Sequence, residues 1–131
     1  TNILVYAFDK SEPEKRETAI GIIAETTSNG TAVVSTQILQ EFYVIVTRKL
    51  TPPLPAADAE QAVGRLSALP CPLIDPPLVI AAVRTSRKHR LSFWDALIIE
   101  TALSGGCSVL LTEDLQDGFQ LRGLTVSNPF K

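Results

Sequence analysis

The stretch SFWDALIIETALSGGCSVLLTED, Ser92 to Asp114, decides the fold class. Ser92 reads as the cap of a helix over Phe93 to Ser104, which Gly105-Gly106 closes. Cys107 to Thr112 then reads as a buried strand, and the acids Glu113, Asp114 and Asp117 follow at once. A helix, a tight glycine turn and a strand ending in acids is one step of an α/β chain. Open sheets of that kind place ligands at the carboxyl ends of their strands.

Working outward, Asp75-Pro76 starts a helix that should reach about His89, and Pro52, Pro53 and Pro55 separate it from earlier elements. Ala56 to Leu69 is amphipathic, with Ala62, Val63, Leu66 and Leu69 on one side. Pro70 to Asp75 holds at most a very short strand. Before the prolines, Gln37 to Leu50 carries Ile38, Phe42, Ile45 and Val46 at helical spacing, after a β-branched strand from Thr31 to Thr36. Ser11-x-x-Glu14 with Pro13 has the form of a capping box starting a helix that Asn29-Gly30 ends. Leu124 to Ser127 reads as a last edge strand. Apolar strands alternating with helices favour an α/β, three-layer fold, a mainly parallel sheet with helices on both faces.

Composition narrows the chemistry. A chain of 131 residues, 45% hydrophobic, is expected to form a single domain over residues 1–131 around one sizeable core. No apolar run is long enough to span a membrane. Cys71 and Cys107 form no C-x-x-C pair, which suits buried, reduced thiols in a cytoplasmic protein. With 14 acids against 12 Lys and Arg, a uniformly basic nucleic-acid surface is excluded, so any such contact must come from a local patch. One histidine leaves little for a zinc site or Cys-His catalysis. A phosphoryl-transfer domain has no upstream Asp nucleophile and no Walker lysine motif here. Carboxylates are the material that remains.

Glu41 projects between Ile38, Phe42 and Ile45, and a carboxylate on an apolar face needs a partner, whether an arginine, water, a proton or a metal. Asp95 stands three residues after Ser92, where it serves a capping box, and that role is compatible with facing a metal. The acids from Glu113 to Asp117 suit a solvated loop or a metal site. A face-inward Glu, a helix-start Asp and a strand-end Asp together form the oxygen cluster that hard divalent ions want. Arg84, Arg87, Lys88, His89 and Arg90 are the one concentrated basic run; cations favour a helix C-terminus, and beside an acidic metal centre they also suit phosphate positioning.

Four segments resemble the PIN-domain family, and within it the VapC-type toxins of toxin–antitoxin pairs: Thr1 to Ala7, Ser35 to Leu50 around Glu41, Ser92 to Ile98, and Leu110 to Asp114. The resemblance implies a metal-dependent endoribonuclease using Mg²⁺ or Mn²⁺, usually a homodimer, inhibited by an antitoxin that covers its site. By position, Glu41, Asp95 and Asp114 look like the family's metal-site acids, with Asp117 as a further one. Asn2 and Thr112 look like supporting polar residues, and Arg84, Arg87, Lys88 and Arg90 would hold RNA. The family pattern begins Asp-Thr-Asn at the end of a central strand, whereas here Thr1-Asn2 opens a chain without methionine. A preceding strand and aspartate are therefore expected in the natural chain. The resemblance also makes residues 2–8 a short helix, where the local propensity of Ile3 to Phe8 favours a strand. The rival function is a PIN-like module that has lost catalysis and only binds RNA or protein.

Overall fold

A computed structural model describes residues 1–131. Six helices come first: α1 (Asn2–Tyr6), α2 (Pro13–Ser28), α3 (Thr36–Arg48), α4 (Ala56–Leu66), α5 (Pro76–His89) and α6 (Phe93–Ser104). Three short strands follow, β1 (Val109–Leu111), β2 (Gln120–Leu121) and β3 (Leu124–Ser127).

The helices form where periodicity and caps place them. Asp75 Oδ1 accepts from Leu78 N at 3.0 Å at the start of α5, and Ser35 Oγ accepts from Ile38 N at 3.1 Å at the start of α3. Ser92 does the same for Asp95 N at 3.1 Å. Each satisfies one of the amide donors that a helix start leaves unpaired. One expected cap is different: Ser11 turns back to Asp9, its amide and hydroxyl donating to Oδ1 at 3.0 and 2.6 Å. Helix α2 therefore begins without a side-chain cap, and Pro13 needs none for itself because it carries no N–H. Residues 2–6 are helical, as the family likeness implied and against local propensity. The inward positions Ile3 and Val5 are buried, and Val5 packs with Phe42, Val46 and Leu50 of the α3 region and Ala59 of α4.

The sheet departs from expectation. It has the order β1-β3-β2, with β1 parallel and β2 antiparallel to β3. It is thus a small mixed sheet rather than a mainly parallel one. Residues 124–127, expected at an edge, are its central strand, since β1 and β2 both pair with them. Strand β1 is not buried throughout, because Val109 is 49% exposed. Residues 31–35 are extended but join no ladder. Their link to the next segment is one bond from Val34 N–H to the Pro70 carbonyl at 3.0 Å. That segment and β1 both line a mainly apolar cleft of about 770 Å³ beneath α2, so the two extended stretches do not pair.

A second core joins Ala82 of α5 to Ala96 and Leu97 of α6, and a third joins Ile99 and Ala102 to Leu124 of β3. Between these lies Glu100, which is 4% exposed. It accepts from Thr85 Oγ1 of α5 at 2.6 Å and is paired with Arg122. Arg122 and Gly123 form the two-residue turn between β2 and β3, with positive φ at both (47° and 86°), the conformation whose twist suits a tight hairpin. The pair therefore ties α5, α6 and the hairpin into one unit.

Thr85→Val removes the hydroxyl donor while keeping shape, leaving part of a buried carboxylate unsatisfied. The expected cost is about 1–3 kcal/mol in urea unfolding, and Thr85→Ser should recover most of it. Equal stability of the valine variant and the native chain would contradict the role given to Glu100.

Candidate metal and nucleic-acid site

Three elements bring carboxylates to one place. Glu41 comes from the second turn of α3, Asp95 from the first turn of α6, and Asp114 from the turn after β1. All three line a cleft of about 130 Å³, shared with Gln37, Trp94 and Thr112.

Each acid is positioned differently. Glu41 is gripped at both oxygens, by Thr1 Oγ1 at 2.5 Å and by Gln37 Nε2 at 3.4 Å. Gln37 lies one helical turn before Glu41, so the two share a face. Asp114 receives Asn2 Nδ2 at 3.1 Å, and its own amide donates to Thr112 Oγ1 at 3.1 Å. Asn2 Nδ2 also reaches Thr112 Oγ1 at 3.4 Å, so Asn2, Thr112 and Asp114 are joined by hydrogen bonds. The Asp95 amide is capped by Ser92, which leaves its carboxylate without a protein partner.

Charge in this corner is unbalanced. No Lys or Arg lines the cleft. Two amide oxygens, Asn2 Oδ1 and Gln37 Oε1, are buried with no hydrogen-bond donor. Acceptors thus outnumber donors, and every one is a hard oxygen of the kind Mg²⁺ and Mn²⁺ prefer. The donor set fits a divalent ion. No three of the acids already stand close enough together to form its coordination shell.

The other acids after β1 are engaged elsewhere. Glu113 accepts from the Tyr6 hydroxyl and from Lys15 Nζ at 3.1 Å. Burial raises its pKa, but the Tyr6 and Lys15 bonds and the lysine charge outweigh it and hold the carboxyl below its usual value. The same contact raises the Tyr6 pKa, first through the bond to Glu113. Asp117 accepts from Asn128 N at 2.8 Å and pairs with Lys131 at 3.7 Å, so the structure does not bring it into the cleft.

Arg84, Arg87, Lys88 and Arg90 are exposed, and none is in an ion pair. His89 is set apart from them, half-buried and edge-on to the Phe119 ring at 5.6 Å. The three residues after His89 lead directly into α6, so the basic end of α5 adjoins the end of α6 that carries Asp95. Sequence reasoning passed over Gln37 and Trp94. Gln37 was discoverable as a polar residue one turn before Glu41, and Trp94 as a large aromatic beside a candidate ligand.

The family model for the PIN domain matches residues 1–120, which includes every acid of the cleft. The chain belongs to the PIN-domain family. No curated protein matches it. PIN domains are generally nuclease domains, typically metal-dependent and commonly with Mg²⁺ or Mn²⁺, and they bind nucleic acid. No helix of this one is long and apolar enough to cross a membrane.

Neutralising Arg87 and Lys88 in this PIN domain should weaken RNA binding at low salt irrespective of sequence. The slope of log affinity against log salt should fall by about 0.7 for each phosphate that is no longer neutralised. An unchanged slope would return these residues to the role of a solvated helix end.

Proposed function

We propose that this PIN domain is a divalent-metal-dependent endoribonuclease, the toxin of a toxin–antitoxin pair, acting in the cytoplasm as a homodimer and silenced by an antitoxin that covers the cleft. The observation that carries the nuclease reading is the meeting of Glu41, Asp95 and Asp114 in one cleft without a neutralising Lys or Arg side chain. The toxin assignment rests on the likeness of the four segments around these residues to VapC-type chains.

In this reading Asp95 and Asp114 hold the ion directly, and Glu41 holds it directly or through water. A divalent ion bound there supplies charge to a phosphate and lowers the pKa of water. The protein supplies placement. Asn2 and Thr112 keep the Asp114 carboxylate aimed, while Thr1 and Gln37 keep Glu41 from rotating away. Asp95 needs no brace beyond its helix start, because Ser92 fixes the backbone from which it projects. Arg84, Arg87, Lys88 and Arg90 hold RNA phosphates on the flank. The products would carry a 3′-hydroxyl and a 5′-phosphate.

The open spacing of the acids favours one other reading, a PIN-like module that binds RNA or protein without cutting. Cleavage of RNA with Mn²⁺ and its loss in EDTA separate the two. On the nuclease reading Asp95→Asn abolishes cleavage while the thermal unfolding curve is kept, since the change retains shape and removes ligand charge. Asn2→Ala, which only unbraces Asp114, should lower activity roughly 10- to 100-fold. Native cleavage rates in Asp95→Asn would remove that residue from the metal site.

A further inference from the structure

Trp94 is the chain's only tryptophan, and it is 61% exposed. Indole has more to gain from burial than almost any side chain, so one left in water at a cleft is informative. It is not loose. The Phe93 ring packs edge-on against it, with centroids 5.1 Å apart and planes at 76°. Its backbone carbonyl accepts from Gln37 Nε2 at 3.4 Å, the same amide that reaches Glu41. Trp94 thus stands on the first turn of α6 and is one of the residues that line the cleft with Glu41, Asp95 and Asp114.

We propose that the indole of Trp94 is a stacking platform for an unpaired base next to the phosphate at the acids. This rests on the nuclease reading above. The acids and the basic end of α5 address phosphates, which duplex and single strand both present. A flat apolar face takes a base only when that base is already out of a helix, and such stacking is tolerant of base identity. The cations at the end of α5 come just before Trp94 and Asp95 in the chain. A charged track with an aromatic platform is the combination found where single strands are bound. Trp94 is a positioning residue: it touches the substrate beside the reacting phosphate and not the reacting atoms.

Because no other tryptophan is present, the fluorescence of the intact chain reports on this side chain alone. Titration in EDTA with a short single-stranded RNA should quench it saturably, and the same sequence annealed as a duplex should bind at least roughly tenfold more weakly. In the cleavage assay with Mn²⁺, Trp94→Leu should raise KM for the single strand roughly ten- to a hundredfold with kcat little changed, and Trp94→Phe should recover most of the loss. The quenching arm needs no metal, so it stands even if the chain proves unable to cut RNA. Absence of quenching, equal response to duplex, or an unchanged KM in a folded Trp94→Leu variant each overturns the stacking role, and the last does so while leaving the nuclease reading intact.

Discussion

Like charges do not gather without compensation, and the site depends on that constraint. Glu41, Asp95 and Asp114 come from three separate elements, yet the fold turns all three to one small cleft. The ion pairs that the chain does form lie outside it, between Lys15 and Glu113, Arg122 and Glu100, and Lys131 and Asp117. Side-chain cations thus neutralise acids elsewhere, while Glu41 and Asp114 are held by neutral groups that orient them without cancelling their charge and the Asp95 carboxylate has no side-chain partner. Of the cleft's neutral groups, Gln37 also has a buried amide oxygen without a donor. On the proposed reading, a hard cation held by these acids supplies the missing positive charge.

The rest of the architecture serves that convergence. The core of Phe42 and Val46 anchors α3 and with it Gln37 and Glu41, while Ala96 and Leu97 lock the start of α6 against α5. Strand β1, held by β3, delivers Thr112 and Asp114. The short helix α1 closes the arrangement from below, because Thr1 and Asn2 at its start reach Glu41 and Asp114 respectively. Elements distant in sequence are therefore coupled through single hydrogen bonds at the cleft.

How much of this was legible depended on whether a signal was local. Helices α3 to α6 announced themselves through periodicity and through Ser92 and Asp75, whose capping bonds are local. The strands did not, because pairing is decided by distant partners. Thr31 to Thr36 has every β-branched preference, yet it meets no ladder neighbour, whereas Gln120–Leu121 is too short to read until Arg122-Gly123 folds it onto β3. The helix at residues 2–6 went against propensity, and the alternating burial of Ile3 and Val5 does not account for it. Glu41, Asp95 and Asp114 were identified as acids with a reason to meet, while Asp117, read as a further acid of the same site, turned to Asn128. Glu100 was overlooked although the logic applied to Glu41 fits it too: an acid among Ile98, Ile99 and Ala102 must find partners, and it found Thr85 and Arg122.

The central claim is that the three cleft carboxylates together hold a divalent ion. Calorimetric titration of the folded chain with Mn²⁺, run beside a variant in which Glu41, Asp95 and Asp114 are replaced by Gln, Asn and Asn, addresses it without reference to any substrate. The account predicts saturable binding to the native chain and none to the variant at the same concentrations. Equal binding by the two proteins, or none by the native chain, would contradict it.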